Sequence, residues 1–239
     1  MPRHKIKRQE EIPTSNWKKI LELAANLDFS RAYQVPRFQL WFQAVLAIIW
    51  LTGKRINEVL QLRRKHVSLT EKEIRIKFFV GKKKSRGSPI EQMPYQKART
   101  IKHKAVPHIL EYLKEFDAEI KDGESQLFPA NTSPRTRTVN TTFLNGQGEK
   151  ETRQYEYADP GGYVYQETAR FWLGKINKQL PKDKRIYFHY GRHSIGLKMA
   201  YQGRSPYQIA EVLDETVTAA IEYTKHAAGY SQEWTKEEE

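Results

Sequence analysis

The sequence predicts a mainly α-helical domain with a small antiparallel β-sheet or hairpin, an α+β class. Three observations carry this. Apolar residues recur at helical spacing through most of the chain, as in "NWKKILELAANL" (16–27) and "HILEYLKEFDAEI" (108–120). Apolar–charged alternation is confined to one region, "EIRIKFFVG" (73–81) and, beyond a basic stretch, "ARTIKHKAVP" (98–107). Helix start and stop signals are densest near the C-terminal end, around "SPYQIAEVL" and "TVTAAIEYTKHAAG".

Residues 1–12 read as a charged arm. Thr14 or Ser15 is placed to cap a helix over 16–27, where Trp17, Ile20, Leu21 and Leu23 or Ala24 share a face. A second helix is expected over about 36–51. Its apolar run, "FQLWFQAVLAIIWL" (38–51), is interrupted by Gln39 and Gln43 and is too short to span a bilayer, so it reads as a buried helix. Gly53 ends it, and a third helix begins near Arg55 and runs through "INEVLQLRR". In 73–81, Ile74, Ile76 and Phe78 alternate with charged residues, as in a half-buried strand that pairs with 98–107. Residues 129–163, with "NTSPRTRTVNTT", "NGQGEKE" and "DPGG", read as a long loop or insertion with room for short strands. Helices resume over 165–180. In "SPYQIAEVL", Ser205 fits an N-cap, Pro206 the first helical position and Gln208 a capping box. The last helix is expected to stop at Gly229, leaving the acidic "SQEWTKEEE".

Charge narrows the partner. Lys and Arg outnumber Asp and Glu by 41 to 28, a formal +13, so a polyanion leads the partner classes. The sign is most one-sided in 81–104, "GKKKSRGSPIEQMPYQKARTIKHK". There Lys82, Lys83, Lys84, Arg86, Lys97, Arg99, Lys102 and Lys104 face the single acid Glu91. On a hairpin such a stretch suits a nucleic-acid groove; a solvated loop is the plainer reading. The chain has no cysteine, which excludes disulfides and Cys-based zinc sites and fits a reducing compartment. Its basic start lacks the apolar run of a secretion signal. No internal repeat and no Gly-rich phosphate loop is present, and the histidines form no convincing metal-ligand set.

Four sequence positions carry candidate chemistry. In "LTGKRINEVLQLR", Arg55 sits at a helix start, where a cation opposes the helix dipole. It serves either as one arm of a phosphate clamp beside exposed N–H groups or as a surface arginine relieved by Glu58. The basic stretch 81–104 is the second. In "FHYGRHSIGLKMAYQG" (188–203), His189 and Arg192 fall on the start of a helix. They can meet one phosphate, the imidazole moving a proton and the guanidinium holding charge; a solvated helix end is the alternative. The fourth is Tyr223. Val217, Ala220, Ile221, Thr224 and Ala228 cluster within about 60° of one direction at 100° per residue, and Tyr223 lies roughly 120° away. It is therefore expected off the core stripe, facing something else or lying at an edge.

Taken in order, Arg55 in "TGKRINEVLQLR", the basic hairpin, "HYGRH" and Tyr223 in "IEYTKHA" resemble the tyrosine recombinase (phage-integrase) superfamily. "SQLFP" (125–129) also looks like the family's segment before the insertion. The resemblance covers about residues 36–228 and implies the DNA-breaking-rejoining catalytic fold. It implies a site-specific recombinase, or integrase, in which Tyr223 attacks a DNA phosphate to give a 3′-phosphotyrosyl link and a free 5′-hydroxyl. Arg55 and Arg192 would stabilise the transition-state oxygens without a metal. A lysine would protonate the leaving oxygen; Lys82 matches best, with Lys83 and Lys84 competing. His189 would be the base or proton shuttle, and His193 would support packing or hydrogen bonding behind the site. No cofactor is implied. The family commonly places "GH" between its last two helices. Here "VLDETV" offers Asp214 and Glu215, one residue shorter, with Glu215 at the histidine position.

The resemblance also implies double-stranded DNA as partner, dimers and tetramers on DNA, no membrane, and an intracellular site, cytoplasmic or nucleoid-associated. The chain divides into a basic arm and leading helix (1–35), the catalytic domain (36–228) and a C-terminal tail (229–239). Trp234 in the tail would anchor on a neighbouring copy if the tail is not simply solvated. Only about 35 residues precede the first catalytic helix, where many members carry a DNA-clamping domain. This fits either a catalytic fragment or a minimal enzyme gripping DNA with the arm and hairpin. Two other functions share the residues: a type IB topoisomerase-like enzyme that rejoins the original strand, and a catalytically silent DNA-binding protein of the same fold.

Overall fold

A computed structural model describes residues 14–27, 38–69, 73–78, 99–101, 106–119, 123–130, 135–144, 146–159 and 162–234. Helix α2 (Phe38–Thr52) runs through its centre. Twelve of its 15 residues are buried, Gln43 among them. A helix apolar on every side must be covered on every side. The cover comes from α1 (Thr14–Ala25), α3 (Ile56–Leu60), α4 (Val106–Glu119) and α6 (Phe188–Tyr201). Gln43 is accommodated because its amide donates to the Leu21 carbonyl at 2.9 Å. Trp17 of α1 stacks on Trp50 at 5.3 Å between centroids. At the other end, Phe38, Trp41 and Phe42 meet Trp172 of α5 (Gln166–Lys178) edge-on at 4.5 to 5.7 Å.

The expected helix over 16–27 is α1, with Trp17, Ile20, Leu21 and Ala24 buried. Thr14 is its first helical residue rather than a cap. The third helix is shorter than expected, ending at Leu60. The arginines assigned to its end are used elsewhere. The Arg64 guanidinium donates to both carboxylate oxygens of Asp117 on α4, at 2.5 and 2.7 Å, and Arg63 donates to Glu124 at 3.0 Å. Those tertiary pairs hold 63–66 in an extended residue and a short 3-10 turn, Arg64–His66.

The expected hairpin is part of a three-stranded antiparallel sheet of β1 (Val67–Leu69), β2 (Ile74–Ile76) and β3 (Arg99–Ile101), in that spatial order. Val67 pairs with Ile76, and Ile74 with Ile101. Ile74 and Ile76 are buried while Arg75 is exposed, as their alternation requires. Strand β1 was not foreseen, because three residues are too few to show a period. Lys82, Lys83, Lys84, Arg86, Lys97, Lys102 and Lys104 lie outside the described residues; Arg99 pairs through its backbone with Ile76.

The segment read as a loop over 129–163 holds two ten-residue strands, β4 (Arg135–Leu144) and β5 (Lys150–Asp159), paired from Arg135↔Asp159 to Leu144↔Lys150. Its β-branched run "RTRTVNTTF" faces "TRQYEYA", and an Asn-Gly follows β4, so strand propensity and turn chemistry were both present. The ribbon pairs with no other strand among the described residues.

Two cores result. The larger surrounds α2. The smaller holds Leu197 and Ala200 of α6, Ile209, Ala210 and Leu213 of α7 (Pro206–Leu213), and Ala220 and Tyr223 of α8 (Val217–Trp234). Helix α6 joins them. Gly191 lets it approach α2, since a β-carbon there would lie 3.0 Å from the Ile49 carbonyl oxygen. Helix α7 has the expected cap: Ser205 Oγ accepts from Gln208 N, and Gln208 Oε1 from Ser205 N. Helix α8 does not stop at Gly229 but continues to Trp234; one interior glycine costs about 1 kcal/mol, which a packed helix tolerates. Among the described residues no helix is long and apolar enough to cross a membrane.

Candidate active site

The site forms where α6 meets the start of α3, the α7–α8 link and α8. Arg55 is the residue before the first turn of α3, with extended backbone. Of its two readings, the structure shows the pairing with Glu58. Glu58, third in the helix, accepts from the Arg55 backbone N–H and from its Nη1, each at 3.0 Å. This is the capping-box reach of a glutamate to the residue before the helix. It fixes the guanidinium and leaves it about a quarter exposed.

Arg192 lies one turn into α6 and is 1% exposed. Its Nη1 donates to the Gly53 carbonyl at 3.2 Å, and its Nη2 to the Asp214 carbonyl at 3.3 Å. Arg55 Nη2 reaches the same carbonyl at 3.5 Å. The two guanidinium groups therefore converge on one point from separate elements. Asp214 turns its carbonyl there through a left-handed backbone, φ 52°, the only positive φ among described non-glycine residues. Glu215 completes the pair. Its Oε2 accepts from Arg192 Nη2 at 3.1 Å and Nε at 3.4 Å. Burial, then the Arg55 charge, lowers the Arg192 pKa; Glu215 opposes the shift.

Tyr223 is buried, which corrects the expected orientation of α8. Ala220 and Tyr223 are buried and the half-buried Val217 and Ala227 pack against them, while Ala228 is exposed and Ile221 and Thr224 are half-covered. The stripe does not mark the whole inward face, because Gly196 on α6 leaves room for the Tyr223 ring. The Tyr223 ring lies on Gly196 of α6: a β-carbon there would sit 2.7 Å from the ring. Sequence reading missed Gly196, although a glycine inside a helical pattern was the available signal.

The Tyr223 hydroxyl is 3.0 Å from His193 Nδ1. His193, expected behind the site, touches the candidate nucleophile directly. Burial first, then the charges of His189 and Arg192, lower its pKa to about 4. It is thus neutral at physiological pH and able to accept a phenol proton. Burial, then Glu215, raises the Tyr223 pKa well above 10, and Arg192 and Arg55 pull it back. His189, exposed at the start of α6, stands edge-on to His193 with centroids 4.6 Å apart. Arg55, His189, Arg192, Glu215 and Tyr223 lie in this one region of the structure; Lys82 is outside the described residues.

The Phage integrase family matches the chain over residues 18–229. No curated protein matches it. The XerH site-specific recombinase bound to palindromic difH substrate, in a post-cleavage complex, superposes with a TM-score of 0.58 at 19% identity, covering 96% of this chain and 53% of that one. The XerH pre-cleavage complex gives 0.54 at 19% identity, covering 90% and 49%. The XerA recombinase gives 0.51 at 16%, covering 89% and 59%. At these identities the likeness is one of fold. The chain spans about half the length of these proteins.

Proposed function

Because the chain belongs to the phage integrase family, we propose that it is a site-specific DNA recombinase working through a 3′-phosphotyrosyl intermediate. One observation carries the reading: a buried tyrosine hydroxyl, 3.0 Å from His193 Nδ1, beside two arginines that converge from different elements. Tyr223 Oη attacks the scissile phosphorus and the P–O5′ bond breaks. The phenol proton passes to His193 and on to His189, and Lys82 protonates the leaving 5′ oxygen. Arg55 and Arg192 balance charge on the non-bridging oxygens, worth about 3 to 4 kcal/mol for one well-aimed donor. Attack of another 5′-hydroxyl on the phosphotyrosine rejoins the strand. The bond energy is conserved, so no nucleotide cofactor is required.

Lys83, Lys84, Arg86, Lys97, Arg99, Lys102 and Lys104 supply the phosphate-contacting charge of the hairpin. The exposed Lys182 and Lys184, shortly before His189 in the chain, extend a basic surface. The active form is a dimer or tetramer on DNA. The end of α8, with Trp234, is the segment offered to a neighbouring copy, and the setting is intracellular, on the nucleoid.

The test is covalent trapping on nicked duplexes carrying the attachment site, in EDTA, with Tyr223→Phe alongside. A denaturing-gel band with 3′ attachment that disappears in Tyr223→Phe is expected. Binding without any covalent band would instead identify a silent DNA-binding protein. Plasmid substrates then separate recombination between two sites from relaxation of one.

A further inference from the structure

A guanidinium has five N–H donors, and those of Arg192 are largely taken by the chain itself. Nη1 serves the Gly53 carbonyl, Nη2 serves the Asp214 carbonyl and Glu215, and Nε serves Glu215 again. The Nε–Nη2 edge is the fork that binds a phosphate or carboxylate through two parallel N–H groups. Here a single oxygen, Glu215 Oε2, sits in that fork at 3.1 and 3.4 Å. The other oxygen, Oε1, is buried with no hydrogen-bond partner among the described residues, and so is Asp214 Oδ2. The Glu215 side chain is 9% exposed. An ionised carboxylate that fills only half its acceptor capacity in a buried place is held less firmly than a fully paired one.

We propose that Glu215 is a surrogate anion: it fills the phosphate fork of Arg192 in the DNA-free protein and gives that fork up when a substrate phosphate arrives. This rests on the reading of Arg55 and Arg192 as the phosphate-binding pair. The carboxylate is a positioning residue, acting through Arg192 and not on the reacting atoms. Without it, Arg192 would be a buried cation with carbonyl partners alone, which a folded domain tolerates poorly. With it, the fork keeps its orientation until an oxyanion takes over. The short Asp214–Thr216 link, carried on a left-handed residue, is the segment that shifts.

The experiment is oxyanion rescue of the full chain without DNA. Thermal unfolding is followed in chloride buffer against rising inorganic phosphate, for the wild type, Glu215→Ala, Glu215→Gln and the surface control Glu222→Ala. Glu215→Ala is expected to melt lower than the wild type in chloride and to recover saturably with phosphate. Glu215→Gln, which keeps the shape but not the charge, is expected to bind phosphate about tenfold more tightly than the wild type, a difference of about 1.4 kcal/mol. Glu222→Ala is expected to follow the wild type. If Glu215→Ala does not fold in chloride, the comparison of Glu215→Gln with the wild type decides alone. Equal phosphate responses in Glu215→Gln and wild type, or an equal gain in Glu222→Ala, would overturn the proposal. Trapping of DNA on Tyr223 without phosphate rescue would remove this inference and leave the recombinase reading standing. Rescue without trapping would do the reverse.

Discussion

Tyr223 shows how much one glycine decides. Its ring occupies the space a side chain at Gly196 would fill, so the smallest substitution there moves the tyrosine proposed as nucleophile. Gly196→Ala is expected to cost about 1 to 3 kcal/mol in stability by overpacking. It should also reduce covalent trapping by more than tenfold at a temperature where the variant is fully folded; near-normal trapping would mean the ring has another seat. His193 gives a second prediction at this scale. In the unfolded chain its imidazole takes a proton near pH 6.5, in the fold only near 4. The unfolded state therefore binds the proton first, and stability present above about pH 6.5 is lost as the pH falls toward 4. His66, buried beside Lys65 and Arg63, shifts the same way, also to about 4. Urea midpoints should thus decline from pH 7 to pH 4.5, and His193→Gln should decline less steeply. Equal slopes would contradict a neutral His193.

Among the elements, the link between α7 and α8 is under the clearest local strain. A left-handed backbone costs an ordinary L-residue about 1 to 2 kcal/mol, and aspartate somewhat less. Asp214→Gly relieves that cost and removes the buried, unpartnered Oδ2 while keeping the carbonyl that both arginines use. It is expected to raise stability by about 1 kcal/mol, whereas Asp214→Val should lower it. Chemical denaturation of the pair distinguishes this from a site where side-chain chemistry matters more than backbone shape. The β4–β5 ribbon stands at the opposite extreme. Its base is closed by the Arg135↔Asp159 pair, it pairs with no other described strand, and Thr138, Asn140, Thr142, Thr152 and Glu156 on it are exposed. Replacing 136–158 by an Asn-Gly turn is therefore expected to leave the melting midpoint within about 2 °C of the wild type, since a core substitution of 1 kcal/mol would already move it that far. A larger fall would show that the ribbon packs on the body.

On the scale of the whole molecule, function depends on α6 belonging to two cores at once. Its N-terminal half is set against α2, and its C-terminal half against α7 and α8. Arg192 and His193 lie at the junction. Each contacts a different neighbour, Arg192 the Gly53 carbonyl next to α2 and the α7–α8 link, His193 the tyrosine of α8. Loosening either core separates the arginines from the nucleophile without altering any of them. The formal charge of +13 acts over longer distances and orients nothing. Its expected signature is steep: DNA affinity should fall by orders of magnitude between low and moderate salt, more than for a protein held by base contacts.

The sequence by itself determined what short-range physics can write. Helical periods, the Ser205 cap and the alternation of Ile74 and Ile76 were readable because each depends on neighbours a few residues away; the basic excess is plain composition, and the order Arg55, His189, Arg192, Tyr223 was legible as a family resemblance. The ten-residue ribbon was half readable: its β-branched strands and Asn-Gly were visible, but polar residues on both strands concealed the pairing. Tertiary structure decided the rest. The inward face of α8, the seat of Tyr223 on Gly196, the hydrogen bond to His193 and the hold of Glu215 on Arg192 join residues from 23 to 30 positions apart. Periodicity within α8 ranks only its own faces, whereas the face that turns inward is set by the room Gly196 leaves on α6. No local pattern encodes that choice, so only the packed molecule could make it.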